Sequence, residues 1–487
     1  MSTVFKKGII CIGLGKMLWY QSIITYLEQL KVSSQESNWQ KTLPKPFLGF
    51  QKNRRLEEVE CIIPDLAGMS RGRSMPIYKF TPDTTFSLPI SLFYQTISGE
   101  YVDMDITNQW MEKDIVLRPD METAAAVPWA DDATLQVIND LELSDGNPLN
   151  IAPRNILKNV IDLYKKENLK PVIAPEIEFY LTQPNTDPNE EILPPIGRNG
   201  RKGVRQQAYS MVAVDEMGSV IDTIYEYAEA QGLKIDTVIQ EGGAGQIEIN
   251  LMHGDPLNLA DQVFYFKRTI REAAFKHKIF ATFMAKPMRD QPGSAMHIHQ
   301  SVIDTKTGLN IFTGPNGCET EAFYNFIGGS QKYLMSTIPF LAPYVNSYRR
   351  FATQESSPNT LEWSYDNRST GIRIPNSKPT DRRVENRIAG SDTNPYLSIA
   401  ASLACGYLGI VNKIKPRDPA RGEVTESENN LPVSLSRALD LLDEAKEVQD
   451  VLGLGFCKLF SDLKRAELEE YQKEISPWER QHLLLNT

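Results

Sequence analysis

Nine charged side chains crowd into four short segments of this 487-residue chain. The segments are Glu176-Ile177-Glu178, Glu241-Gly-Gly-Ala-Gly-Gln-Ile-Glu248, His297-Ile298-His299 and Arg383-Val384-Glu385-Asn386-Arg387. In three of them the polar residues stand two apart with an apolar or neutral residue between. Side chains at i and i+2 of a β-strand face the same way, so each of those three presents its groups in one direction. Two carboxylates on one face of a buried strand repel unless a cation lies between them. Five carboxylates and two imidazoles make an oxygen-rich donor set, which suits Mg2+ or Mn2+ better than zinc or copper. The arginines add planar donors for a carboxylate or a phosphate. Divalent metals and a polyanionic substrate are the chemistry these groups can hold.

Each segment also has a duller reading. The glutamate pair fits an exposed edge strand, but Ile173, Pro175, Ile177 and Phe179 around it argue for a buried one. Glu241 and Glu248 flank a glycine run that reads as a flexible hairpin, or as a tight turn that brings both carboxylates to one point. Arg383, Glu385 and Arg387 fit a surface ladder of weak ion pairs, whereas the buried helix expected just after them argues for a strand entering the core. The chain has five histidines and two of them share one tripeptide, which packing alone does not explain. Further arginines stand in semi-apolar settings: Arg349-Arg350, Arg368 and Arg373. No Walker A loop, nucleophile elbow or Ser-His-Asp pattern is present, and Gly13-Leu14-Gly15 lacks the rest of a dinucleotide fingerprint.

Several elements must position these groups. A helix is expected over residues 23–30, followed by a polar stretch closing on Pro44 and Pro46, so residues 1–54 read as an extension or linker. A strand over 59–65 runs into a Gly/Arg loop over 68–73, and more strand-like pieces follow to about 129. The Asp145-Gly146-Asn147-Pro148 loop marks a boundary, giving a small domain over 55–147 and a large one over 148–487. In the large domain, helices are expected at Pro153 onward, 219–231 and 255–277, and strands at 172–181, 234–240 and 280–285. An amphipathic helix capped by Asn394-Pro395 extends to about 410.

The net charge of -10 argues against broad nucleic-acid or anionic-membrane binding. No stretch approaches the ~20 apolar residues of a membrane span. Lys6 and Lys7 precede a short apolar run that Lys16 breaks, which does not read as a secretory leader. Five widely spaced cysteines without a CxxC pair fit a reducing, cytoplasmic setting.

The ordered motifs EIEF, EGGAGQIEIN, GSAMHIHQS, NSYRR, NRSTGIRIP and RRVENRIAG resemble the glutamine synthetase superfamily from about Glu57 to the end of the chain. Ser476-Pro-Trp-Glu-Arg, Gly197-Arg-Asn-Gly-Arg201 and Tyr209-Ser210 look more like the branch that makes γ-glutamylpolyamines. The resemblance implies an α+β fold: an N-terminal β-grasp domain and a large catalytic domain with an antiparallel sheet and surrounding helices. It implies one metal on Glu178, Glu241 and Glu248, and a second on Glu176, Glu385 and His297. It implies ATP contacts at His299, Ser301, Arg368, Arg373 and Arg383, with Arg368 and Arg373 acting on the transferring phosphate. Glutamate would be held by Gly293, Arg350 and Arg387, and Tyr209 is a further substrate-contact candidate. The implied activity is ATP-dependent joining of glutamate to a primary amine such as putrescine, through a γ-glutamyl phosphate. The implied assembly is a homo-oligomer of stacked rings, a dodecamer.

Three departures bear on the amine. Where ammonia-using relatives carry Asp-Gly-Ser-Ser, this chain reads Glu100-Tyr-Val-Asp-Met-Asp105. The flap glutamate position six residues after Arg350 is Ser356, with Glu355 one residue earlier and the candidate base for the amine. The adenylylation tyrosine motif has no counterpart. Glutamine synthesis from ammonia and a non-catalytic scaffold role are the alternatives.

Overall fold

The computed structural model describes residues 38–487 apart from 53, 103–112, 206–207, 353–356 and 425–426. The helix expected over 23–30, Cys11, Asp103, Asp105, Glu355 and Ser356 lie outside the described residues.

Two sheets organise the chain. The first has six strands: β1 (Leu56–Pro64), β2 (Ser70–Pro76), β3 (Phe86–Pro89), β4 (Asp114–Pro119), β5 (Ala125–Ala126) and β6 (Ala133–Glu142). Its order is β2-β1-β6-β4-β3, with β5 also on β6. β1 and β6 run parallel; most of their residues are buried, although β1 carries three glutamates and β6 buries Thr134, Gln136 and Asn139. The segment expected to be a Gly/Arg loop is instead largely edge strand β2, paired antiparallel with β1. Its mostly exposed side chains hide the usual alternation. Gly72 belongs there because a Cβ would meet the Cys61 carbonyl oxygen at 2.0 Å.

Part of the expected linker is also ordered structure. Residues Lys45–Gln51 form a helix with proline in its first turn, where a missing N–H costs nothing. Phe47 and Leu43 from this region pack with Val59, Leu135 and Val137 in a small separate core. The two prolines that suggested a linker thus start a helix.

The second sheet has eight strands: β7 (Leu169–Thr182), β8 (Ile235–Gln240), β9 (Gln246–Leu251), β10 (Phe280–Thr282), β11 (Met296–Asp304), β12 (Trp363–Tyr365), β13 (Ile372–Ile374) and β14 (Val384–Asn386). Its order is β12-β13-β14-β11-β7-β9-β8, with β10 also on β7. All pairs are antiparallel except β12–β13. The expected helices appear as Pro153–Lys166, Gly218–Gln231 and Pro256–Lys276.

The helix Pro395–Val411 is buried as expected, but on nearly every side and not on one face alone. It packs on helix Glu321–Leu341 through paired glycines; a Cβ at Gly329 would meet Gly409 Cα at 2.4 Å. Asn394 caps it, accepting from Tyr396 and Leu397 N–H, and its Nδ2 donates to the Asp65 carbonyl at 2.9 Å. One side chain thereby starts the central helix and ties it to the end of β1. Cys61, Cys405 and Cys457 are buried free thiols and Cys318 is an exposed one. Among the described residues no helix is long and apolar enough to cross a membrane.

Candidate functional site

Strand register assembles the charged groups. His297 on β11 sits opposite Glu176 on β7, Glu178 on β7 opposite Glu248 on β9, and His299 on β11 opposite Glu385 on β14. Donor atoms of Glu176, His297 and Glu385 lie within 4.8 Å of one another, and so do those of Glu178, Glu248 and His297. His297 is common to both groups. Glu241, in the turn between β8 and β9, falls outside these tight groups, yet its charge raises both Glu178 and Glu248.

The electrostatics divide the cluster in two. Burial, then Glu241, pushes Glu178 up to about 8. Burial, then Glu178 and Glu176, pushes Glu248 up to about 9. Buried carboxylates in this state ionise fully only beside a cation. On the other side, burial alone would raise Glu385, but His299, Arg387 and His297 hold it down to about 2. Burial likewise opposes ionisation of Glu176, and hydrogen bonds from His297 (3.1 Å) and His299 (2.8 Å) overcome it. Burial and then Arg387 hold His297 down to about 4, so its imidazole is neutral at pH 7, and Nδ1 can coordinate a cation once it gives up its proton. A half-ionised carboxylate set around a neutral imidazole is a donor set that fits divalent cations.

The arginines converge on one carboxylate. Glu385 is fully buried and accepts from Arg387 Nη1 at 2.6 Å and Arg373 Nη1 at 2.8 Å. Arg373 Nη2 also donates to Asp366 at 2.6 Å. The Nε atoms of Arg373 and Arg387 are buried without a hydrogen-bond partner, so each holds a donor in reserve. The surface-ladder reading of this strand therefore fails, because its carboxylate has no contact with water. Arg350, 2 % exposed, donates to the carbonyls of Ile388 (2.7 Å) and Arg387 (2.8 Å). Gly293 lies against it, where a Cβ would meet Arg350 Cγ at 2.6 Å. Arg368 is exposed, and its charge draws Glu241 down against the effect of burial.

A cavity of about 610 Å³ adjoins the cluster, lined by Glu176, His299, Ser301, Arg383, Asn250 and Met252 among others. Arg383 Nε donates to His299 Nδ1 at 3.2 Å. That leaves Nε2 as the nitrogen whose proton goes to Glu176. Tyr209 is not drawn into the charged cluster. It is 63 % exposed, with φ +68°, and its N–H donates to the Gln240 carbonyl at 2.8 Å, next to Glu241.

Motif reading missed the residues that hold the site from beneath. Gln246 is 1 % exposed; its Nε2 donates to the Gly293 carbonyl at 2.9 Å and its Oε1 accepts from Gly243 N–H at 3.0 Å. Tyr180 Oη donates to the Pro292 carbonyl at 2.7 Å. Together they join the glycine turn to the Gly293 loop. The signal for Gln246 was a polar residue inside an alternating strand; Tyr180 gave none.

These features define a two-sheet α+β protein with a carboxylate–imidazole centre in a strand-lined cleft. Residues 150–483 match the family described as glutamine synthetase, catalytic domain. The chain belongs to that family. It is 33 % identical over 376 residues to a glutamate–isopropylamine ligase of Pseudomonas sp, covering 75 % of this chain and 80 % of that one. It is 32 % identical over 436 residues to the γ-glutamylputrescine synthetase PuuA of Escherichia coli strain K12, covering 88 % and 92 %. The solved structure of ligand-free GmaS superposes with TM-score 0.74 at 27 % identity, covering 90 % of this chain and 98 % of that one.

Proposed function

We propose that this chain is an ATP-dependent ligase that joins the γ-carboxylate of glutamate to a primary amine through a γ-glutamyl phosphate. The observation that carries the reading is the pair of three-ligand groups sharing His297, set beside arginines anchored on Glu385. The names of the relatives, one an isopropylamine ligase and one a γ-glutamylputrescine synthetase, support an amine acceptor. So does the absence of the Asp-Gly-Ser-Ser stretch near Glu100.

In this reading Glu178, Glu241 and Glu248 hold one Mg2+ or Mn2+ and Glu176, His297 and Glu385 a second. When bound, the cations offset the repulsion between the γ-phosphate and the attacking carboxylate. The triphosphate lies in the cavity lined by His299, Ser301 and Arg383. Arg350 and Arg387, with the Gly293 loop, orient glutamate from the opposite side. A γ-carboxylate oxygen attacks the terminal phosphorus in line and ADP leaves. Arg373 and Arg368 stabilise the charge that spreads over the transferring oxygens. Glu385 keeps Arg373 and Arg387 at a fixed separation, so little reorganisation is needed at the moment of transfer. The free amine then attacks the acyl carbon, phosphate leaves, and a carboxylate takes the amine's proton. Glu355 is the candidate for that role. The reading includes a cytoplasmic, stacked-ring homo-oligomer; the exposed apolar side chains near the C-terminus support contact with further copies.

Phosphate release, followed with glutamate, ATP, Mg2+ and a panel of putrescine, isopropylamine, other primary amines and ammonia, tests this. A primary amine is expected to exceed ammonia clearly in kcat/KM. Equal turnover of ammonia and the best amine contradicts the acceptor, and absence of amine-dependent ADP release with either metal contradicts the ligase.

A further inference from the structure

A second cavity, of about 590 Å³, shares no lining residue with the one beside the carboxylate cluster. It opens where the loop after β1 meets helix Pro256–Lys276. Its walls include Phe264, Phe275, Phe283 and Met284, and its polar groups include Lys267, Arg268, Arg271 and Asp392.

Three of these polar groups have partners. Lys267 Nζ donates to the carbonyls of Ser391 (2.6 Å) and Thr393 (2.7 Å). Arg268 forms an ion pair with Glu60. Asp392 accepts from Ser347 Oγ at 2.6 Å and is faced by Lys267 and Arg350. Arg271 differs. Among the described residues it has no hydrogen-bond or ion-pair partner. Its guanidinium lies over the Phe283 ring at 5.0 Å. Glu272 also lines the cavity, where burial pushes its carboxyl up against the opposing charge of Arg268. A guanidinium stacked on an aromatic ring, inside a concave apolar wall, keeps its planar fork of donors free for an acceptor.

We propose that this cavity binds a small carboxylate with an apolar body, its carboxylate on the fork of Arg271 and its body against Phe264, Phe275 and Phe283. Asp392 connects the two sites. It lines this cavity and its charge also acts on Arg350. A ligand that engages Arg271 therefore changes the field at the residue that would orient glutamate.

Benzoate is the test probe, titrated by calorimetry into the full chain with saturating glutamate present. One site per chain is expected, not displaced by glutamate. The Arg271→Met variant should weaken benzoate on the order of tenfold or more, the worth of one charge-assisted contact. Arg271→Lys should recover part of that loss. An unchanged melting temperature checks that both variants fold. No benzoate site, binding that survives Arg271→Met, or competition with glutamate each overturns the proposal. These outcomes do not depend on which amine, if any, the protein uses.

Discussion

Glu178 and Glu248 face each other across adjacent strands, and each is held back from ionising at neutral pH by burial and by its neighbours. A divalent cation that binds there must displace the protons they keep. The sign follows from competition: affinity is weak where the carboxyls are protonated and grows as pH rises through about 8 and about 9. Mn2+ affinity is therefore expected to climb steadily between pH ~6 and ~9, with proton release on binding. Calorimetry in two buffers of different ionisation enthalpy reads both quantities. A flat affinity with no proton release contradicts the assignment of Glu178 and Glu248. His297 contributes no such dependence in this window, since burial and Arg387 hold it down to about 4.

Among the elements, the β8–β9 turn has a narrow tolerance. A Cβ at Gly243 would meet Tyr180 Oη at 2.0 Å, and that hydroxyl is tied to the Pro292 carbonyl. One residue earlier, a Cβ at Gly242 would come no nearer than 3.7 Å to Pro292. Gly243→Ala is thus expected to destabilise by roughly 1–3 kcal/mol, as overpacking does, and to weaken Mn2+ binding because Glu241 sits in the same turn. Gly242→Ala should stay within about 0.5 kcal/mol of wild type. Urea denaturation and Mn2+ titration of the pair check this; equal behaviour of the two variants contradicts the contact.

At the scale of the whole molecule, one buried arginine ties the first sheet to two helices. Arg154, 3 % exposed, starts the first helix of the large unit. It forms ion pairs with Asp140 on β6, Asp120 after β4 (2.7 Å) and Asp261 on helix Pro256–Lys276 (2.9 Å), and Tyr396 Oη donates to Asp261 at 2.6 Å. Lys158 still pairs with Asp140 when Arg154 is removed, but the buried Asp261 loses its cation, so Arg154→Met is expected to cost about 3–5 kcal/mol in urea unfolding. A loss below ~1 kcal/mol contradicts the network's role. Assembly is tested at the other end of the chain. Ile475, Trp478, Leu484 and Leu485 are exposed at 59, 60, 76 and 91 %, more apolar surface than an isolated tail usually presents. If further copies cover it, a Leu484→Asp/Leu485→Asp double variant should give smaller particles by light scattering; an unchanged mass contradicts that contact.

Much of the site was legible because its chemistry is local. The spacing in Glu176-Ile-Glu178 and His297-Ile-His299 is a strand spacing, and a strand aims such pairs one way. Other features could not be read. Ser70–Pro76 has too little apolar alternation to announce an edge strand, and only its pairing with β1 makes it one. Pro44 and Pro46 suggest a linker or a helix start equally well until Phe47 finds a core. The helix Pro395–Val411 looked one-sided, because small residues that allow close approach of a second helix resemble polar-face residues in pattern. Spacing and residue type by themselves determined that glutamates and histidines are borne in pairs on strands, each pair facing one way. Only the tertiary structure decided that His297 is common to both donor groups, that the buried Glu385 accepts from two arginines, and that Gln246 and Tyr180 hold the turn. Those outcomes depend on register and burial, which arise between segments distant in the chain and are written in none of them alone.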